Sequence, residues 1–504
     1  MYGLYFIEER KKRMFEITSP IEAGIPAESI LRFIDRLDQR QVPMHALLLM
    51  RHGRLVAEGY YAPLHADSVQ RMFSICKTLN ALAIGLLAEE GRISLTDSII
   101  SYFPDKVPKD PHPWIAEMTV RDLLMMRTCH ASTTYKYNED KEWVETFFTT
   151  PPTHKPGTVF HYDTSAAHVL CVLTERLTGM SMLDYLRKKV LDRIGWSKDS
   201  YVLKNQFGDS QGGSGLMATA RDMLLLGKLL LQQGNWEGEQ LLPKEFVIEM
   251  TSRLTPNVLT GAVISERQGY GYQLWRSQHE GFVCYGLGGQ LVLCLPKQDM
   301  ILVTLADTQG QGGGNDLIYD SFYTEILPAL DTAPLSEGEE NRAAEQLKRR
   351  LSSLQLTPLY KQHTPLPADL PEDTFLTPLV RSTYINERTY MLSENPQGFT
   401  WFRFSFSEDS CRFSYCRNGN IGILTFGLKE CLPGKLPFYD YYCAANGMWI
   451  QEDTLLVKVH LLDTVLGSLH MEFVFGEDDV TAYFKKIEES KLSEFNGHFY
   501  GKIN

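Results

Sequence analysis

The sequence predicts an α+β fold in two units: a mixed domain on an antiparallel sheet flanked by helices, then an all-β antiparallel barrel-like domain. Three observations carry this. Strand-type apolar runs bracket a helix-rich middle between about Ile21 and Ala333. Composition then shifts between Asp331 and Pro367, where Ser336-Glu337-Gly338-Glu339-Glu340 and a charged helical run to Arg350 lead into a Pro-containing stretch. After Thr374 the text becomes short alternating runs broken by Asn, Gly and Asp turns, such as Phe399 to Phe406, Leu455 to His460 and Leu469 to Phe475. The expected division is therefore 1–333, a linker with a charged helix at 334–373, and 374–504.

Within the first unit each element has its own signal. Ile30, Phe33, Ile34 and Leu37 share one helical face in Ala27 to Leu37. Ala46 to Met50 and Leu55 to Tyr60 flank His52-Gly53-Arg54 as a hairpin. Ser74 to Glu90 reads as a long apolar helix. Thr119 to Asp122 and Thr219 to Asp222 place a hydroxyl and a carboxylate three residues apart before Leu/Met-rich runs, the spacing that satisfies the free amides of a first helical turn. Tyr270 to Trp275, Phe282 to Tyr285, Gln290 to Leu295 and Met300 to Ala306 read as four strands.

Composition excludes several classes. Fifty Lys and Arg against 62 Asp and Glu give a net charge of −12, so nucleic acid is not an expected partner. Met1 to Ser19 carries Glu8, Glu9, Arg10, Lys11, Lys12 and Arg13 where an export signal needs an apolar core, and Met223 to Leu226 with Leu229 to Leu231 fall far short of a membrane span. A cytoplasmic chain without a membrane partner is expected. Nine scattered cysteines without a C-x-x-C pair read as reduced, mostly buried residues, not as a disulfide framework or zinc site.

Phe73-Ser74-Ile75-Cys76-Lys77 is the strongest chemical signal. Positions i and i+3 share a helix face, so the Lys77 amine reaches the Ser74 hydroxyl, and burial in an apolar helix favours the neutral amine that accepts a serine proton. The helix amino terminus adds a partial positive charge favouring alkoxide. Competing patterns are poorer: Gly212-Gly213-Ser214-Gly215-Leu216 lacks the final glycine of a nucleophile elbow, His279-Glu280 lacks the following histidine of a zinc protease, and Gly310 with Gly312 to Gly314 lacks a dinucleotide or phosphate-loop pattern. No metal or cofactor is expected. His130 and His168 read as structural.

The stretches His45 to Leu49, His52 to Glu58, Met72 to Lys77, Glu90 to Asp97 and Tyr102-Phe103-Pro104 resemble the serine β-lactamase and penicillin-binding-protein superfamily, in its class C-like hydrolase branch. The likeness runs on through Thr119 to Arg127, Pro156 to Tyr162, Gly215 to Asp222 and Gly286 to Pro296, covering roughly residues 25–330. It implies a β-lactamase-like domain with a helical subdomain. It also implies Ser74 as nucleophile, Lys77 as base and Tyr162, in His161-Tyr162-Asp163-Thr164-Ser165, as proton relay, with the amides of Ser74 and Leu287 as oxyanion hole. Two departures are visible. Thr164 stands where many relatives have Asn, and the third motif falls at Cys284-Tyr285-Gly286, without the basic residue that would meet a substrate carboxylate. Cys284, Tyr285, Gly286 and Thr164 are then the substrate-facing candidates, and Gly286-Leu287-Gly288-Gly289-Gln290 resembles 6-aminohexanoate-oligomer hydrolases and esterases more than antibiotic-destroying members.

The implied activity is a serine hydrolase acting on a small ester, amide or short peptide. Two alternatives follow from the same residues: a D-amino-acid peptidase or β-lactam-binding protein, and a non-catalytic binding protein whose second domain does the work. The last 130 or so residues resemble lipocalin-like barrels, whose role would be to shape the site entrance or hold an apolar ligand. Trp401, Phe402, Tyr415, Phe438, Tyr439, Tyr441 and Tyr442 are expected mainly to pack.

Overall fold

A computed structural model describes residues 15–137, 140–261, 263–332, 336–362, 379–488 and 491–504. The charged N-terminal run before residue 15, and the Pro-containing part of the linker with its boundary at 374, lie outside the described residues. The first unit is built on a six-stranded antiparallel sheet. Helix α1 (Ala27–Gln39) precedes hairpin strands β1 (Met44–Arg51) and β2 (Arg54–Tyr60), and a short strand β3 (Gln70–Arg71) leads to helix α2 (Ile75–Glu89). Helix α3 (Thr164–Thr178) lies against α2; then come β4 (Tyr201–Val202), β5 (Leu216–Ala218) and α4 (Ala220–Leu231). Strands β6 (Trp275–Arg276), β7 (Phe282–Gly286), β8 (Gln290–Leu295) and β9 (Met300–Ala306) follow, and then α5 (Asp316–Glu325) and α6 (Glu337–Ser352).

The sheet order is β2, β1, β9, β8, β7, β6, so the N-terminal hairpin is joined to the later strands through β1 against β9, with Leu48 opposite Val303. Every residue of β1, β8 and β9 is buried, as both sheet faces are covered. Helix α4 lies on one face, where Gly227 lets it approach so closely that a Cβ there would sit 2.8 Å from Val292. A small sheet of β3, β5 and β4 ties the chain before α2 to the helical part. Both expected capping boxes form: the Thr119 and Thr219 hydroxyls accept from the amides of Asp122 and Asp222, whose carboxylates accept in return.

One expectation is corrected. Tyr270 to Trp275 does not run as a strand; only Trp275–Arg276 joins the sheet. Gly271 passes so near the Met250 carbonyl that a Cβ would lie 2.0 Å from it, and Gln273 sits at φ 56°, with its side-chain amide donating to Leu123 O at 2.7 Å. Tertiary contacts have bent an apolar run that local pattern reads as straight.

The second unit comprises β10 (Thr389–Leu392), β11 (Phe399–Phe406), β12 (Ser410–Arg417), β13 (Asn420–Gly427), β14 (Leu432–Lys435), β15 (Tyr442–Trp449), β16 (Thr454–Leu462), β17 (Leu466–Phe475), β18 (Asp479–Ile487) and β19 (Gly497–Ile503). Among the described residues β13, β12, β11, β10, β19, β18, β17, β16 and β15 form the ring, closed by a parallel bridge from Gly427 to Asn446, with β14 paired to β15 outside it. The result is a closed nine-stranded barrel. Alternation places Phe402 and Phe404 of β11 inward, a register shift between Phe399 and Trp401 brings Phe399 to the same side, and rings of Phe413, Phe473, Phe484 and Phe499 fill the interior that a barrel ligand would need.

Eight of the nine cysteines are buried and all are free, as the sequence predicts. His45, His130 and His168 are also buried, and burial lowers their pKa values to about 3, 4 and 4. The unfolded chain takes protons at these sites below about pH 6.5 and the folded chain does not, so their contribution to stability is lost as pH falls from 6.5 towards 4. Burial raises Asp163 and Asp307 to about 6, which acts in the opposite sense over part of that window. His168, fully buried against Trp143 at 5.1 Å, isolates the effect. In His168→Phe, denaturant titrations between pH 6.5 and 4 are expected to show an acid-side stability slope shallower by about one proton; an unchanged slope refutes the assignment.

Candidate functional site

The site forms where the amino terminus of α2 meets the end of β7. Ser74 caps α2 without bonding the helix with its own side chain, which leaves its hydroxyl for other partners. The preceding Phe73 has φ 46°, a left-handed conformation costly for an aromatic residue and held here by a bridge to Gly215. That turn aims Ser74 at Lys77. Lys77 is only 1% exposed, and its Nζ donates to Ser74 Oγ at 2.8 Å and to Gly213 O at 2.6 Å.

The Gly213 carbonyl is the partner sequence reading missed. It arrives from a segment 136 residues away, and its neighbours explain how it can come so near. A Cβ on Gly212 would lie 2.2 Å from Cys171 Cβ, and one on Gly213 would lie 2.2 Å from Thr164 Cγ2. The Gly-Gly pair therefore has a packing reason: only glycine lets this loop press against α3. Asn80, one helical turn beyond Lys77, donates to Gly212 O at 2.6 Å and to Ala167 O at 3.0 Å, pinning loop and helix together.

Tyr162 lies two residues before α3, next to its capping residue Asp163. Its ring centroid is 4.9 Å from Lys77 Nζ, placing the third candidate against the second. Trp275 stands 5.2 Å from Tyr162 and 5.9 Å from Tyr285, and Tyr270 and Phe160 complete an aromatic wall behind them. Tyr162 and Tyr285 are half-buried, whereas the other three are buried. No local motif marks Trp275 as part of this wall.

Gly286 closes the other side. A Cβ there would stand 2.3 Å from the Met72 carbonyl, so glycine is what allows the end of β7 to adjoin the turn carrying Ser74. Among the described residues, no protein acceptor is recorded for the backbone amides of Ser74 or Leu287. Gln290 Nε2 donates to Leu287 O at 2.9 Å and to Ala306 O at 2.7 Å, fixing the turn after Gly286. Cys284 is fully buried, with burial pushing its thiol up to about 12. Thr164 packs its methyl on Gly213 while its amide donates to Thr133 Oγ1 at 3.1 Å. Among the described residues no group of three His, Cys, Asp or Glu side chains is placed to hold a metal ion, and no helix is long and apolar enough to cross a membrane.

An antiparallel sheet flanked by helices thus carries a Ser-Lys pair at the head of a buried helix. The family model described as Beta-lactamase matches residues 31–320, and the chain belongs to the beta-lactamase family of serine hydrolases. It is similar to a 6-aminohexanoate-dimer hydrolase of Paenarthrobacter ureafaciens, 23% identical over 311 residues that make up 57% of this chain and 79% of that one. Among solved structures it resembles a putative 6-aminohexanoate-dimer hydrolase from Bacillus anthracis (TM-score 0.51, 20% identity, 66% of this chain and 88% of that one). A putative beta-lactamase from Bacteroides dorei is similarly related in fold (TM-score 0.50, 16% identity, 60% and 98%). The chain is thus a hydrolase of the beta-lactamase fold followed by a closed β-barrel.

Proposed function

We propose that the protein hydrolyses a small ester or amide through an acyl-enzyme on Ser74. The observation that carries this is the 2.8 Å contact between Lys77 Nζ and Ser74 Oγ at a lysine 1% exposed. Desolvation at that depth favours the neutral amine, which takes the serine proton as Oγ attacks the carbonyl carbon. The developing oxyanion is met by the amides of Ser74 and Leu287. Tyr162, beside Lys77, hands a proton to the leaving alcohol or amine and is left as a phenolate; water then adds to the acyl carbon, giving its proton to that phenolate, and Lys77 returns its proton to Ser74 Oγ as the acid departs.

The substrate expected from this site is a linear ester, amide or short peptide without a carboxylate near the scissile bond, since a buried neutral thiol at Cys284 supplies no cation. The relatives named as 6-aminohexanoate-dimer hydrolases support an amide. We further divide the chain into a catalytic unit at 1–333, a linker at 334–373 and a β unit at 374–504.

Intact-mass spectrometry after a fluorophosphonate, and in parallel after benzylpenicillin, tests the reading. One phosphonyl adduct, absent from Ser74→Ala and with no penicillin adduct, is the expected result. A stable penicillin adduct would convert the reading to a β-lactam-binding or D-peptidase one, and labelling that survives Ser74→Ala refutes the nucleophile. For Tyr162→Phe, kcat on an amide is expected to fall by about 10²- to 10⁴-fold with KM little changed. A much smaller loss on an activated ester, whose leaving group needs no proton, separates a relay from a packing role; equal losses refute the relay.

A further inference from the structure

The family match ends at residue 320, yet the barrel reaches the site through one turn, Leu462 to Leu466, which joins β16 to β17. On the nucleophile side, Arg71 N donates to Asp463 O at 3.2 Å and Gln70 Nε2 donates to Leu462 O at 3.0 Å. The Arg71 guanidinium then spans two units of the protein. Its Nη1 donates to Thr464 O at 3.4 Å in the barrel, and its Nε donates to Ser214 O at 2.9 Å. Its Nη2 also reaches Ser214 Oγ and Gln211 Oε1, both at 3.3 Å. Ser214 follows Gly213, whose carbonyl accepts from Lys77. On the opposite wall, Gln309 Nε2 donates to Leu466 O at 3.0 Å, and the adjacent Thr308 amide donates to Gly288 O at 2.9 Å, next to Leu287.

We propose that this turn is a brace of the active site, with Arg71 as the positioning residue through which the barrel fixes the Gly213 carbonyl and hence the Lys77 amine. The inference rests on the acyl-enzyme reading and adds to it that the C-terminal unit is a working part of the site. A single arginine bonded to a barrel carbonyl and to the loop holding the base transmits any displacement of the turn to Lys77. Geometry at a proton-transfer pair is where such a displacement tells most, since an error of about 1 Å costs up to about 10²-fold in rate.

The test measures Ser74 phosphonylation in the full chain, separating the maximal inactivation rate from the reversible binding constant. In Arg71→Met the maximal rate is expected to fall by about ten-fold or more while the binding constant stays within about two-fold. Arg71→Lys, which keeps the charge but cannot bridge both sides, is expected to recover part of the rate. Asp463→Ala lies wholly within the barrel and removes the carboxylate that accepts from Tyr442 N at 2.8 Å and Thr464 N at 2.6 Å; it is expected to lower the same rate by about three-fold. Wild-type rates in Arg71→Met and Asp463→Ala, or losses confined to the binding constant, would overturn the brace. Should Arg71→Met not fold, Arg71→Lys and Asp463→Ala decide alone. Labelling that persists in Ser74→Ala sinks the acyl-enzyme reading instead, so the two failures are distinct.

Discussion

Ser74→Ala and Lys77→Met are each expected to abolish turnover, lowering kcat on an activated ester by about 10⁴- to 10⁶-fold. The reason lies in how little the pair can be separated. A serine hydroxyl is a weak nucleophile, and in the proposed mechanism the group that takes its proton is the Lys77 amine, 2.8 Å away and 1% exposed. Methionine keeps an unbranched apolar stem close to that of Lys77, with sulfur in place of one methylene and no amine, so packing on α2 survives while the proposed base and its bond to Gly213 O are lost. The double variant Ser74→Ala, Lys77→Met is expected to be no worse than the poorer single one, because in the proposed mechanism the two residues perform one step. Steady-state kinetics on p-nitrophenyl butyrate, with circular dichroism to verify folding, provides the measurement. A Lys77→Met enzyme retaining more than about a tenth of wild-type kcat excludes lysine as the base.

Phe402→Ala is expected to carry the largest stability cost, about 3–5 kcal/mol. The side chain is fully buried, and its ring lies 5.6 Å from Phe399, 5.2 Å from Phe413, 5.6 Å from Phe484 and 5.9 Å from Phe499. Deletion leaves a void among rings that are themselves held by one another, so collapse around it is incomplete. Against a typical domain stability of about 5–15 kcal/mol, this is a substantial fraction of what keeps the barrel closed. Chemical denaturation followed by far-ultraviolet circular dichroism is expected to show the barrel transition at clearly lower denaturant, with Phe402→Leu in between. A shift below about 1 kcal/mol contradicts the packed interior described above.

Much of this was legible in the amino-acid text because it is local. The Ser-x-x-Lys pair, both Thr-x-x-Asp caps and the period-two runs of the second unit each declare themselves within a few residues, and all form. What escaped is non-local. The acceptor for Lys77 is a backbone carbonyl, an atom every residue possesses, and it matters only because glycine lets its loop approach α3. Arg71 looks like any surface arginine until a turn almost four hundred residues later supplies two of its carbonyl partners, one to its amide and one to its guanidinium. Trp275 joins the aromatic wall only because the chain before it is bent by Gly271 and Gln273.

The seam of the barrel sets the order in which the chain can mature. Strand β10 pairs on one side with its immediate successor, Tyr390 against Phe402, and on the other with β19, Tyr390 against Ile503. During synthesis β10 therefore waits more than a hundred residues for its second neighbour, and β10 throughout that wait, joined by β18 near its end, presents an unpaired edge able to recruit other strands. Contacts this distant in sequence also make closure slow relative to forming the hairpins between them. A truncation that removes β19 leaves both edges open permanently, making the final strand the guard against aggregation for a unit whose other strands are already in place.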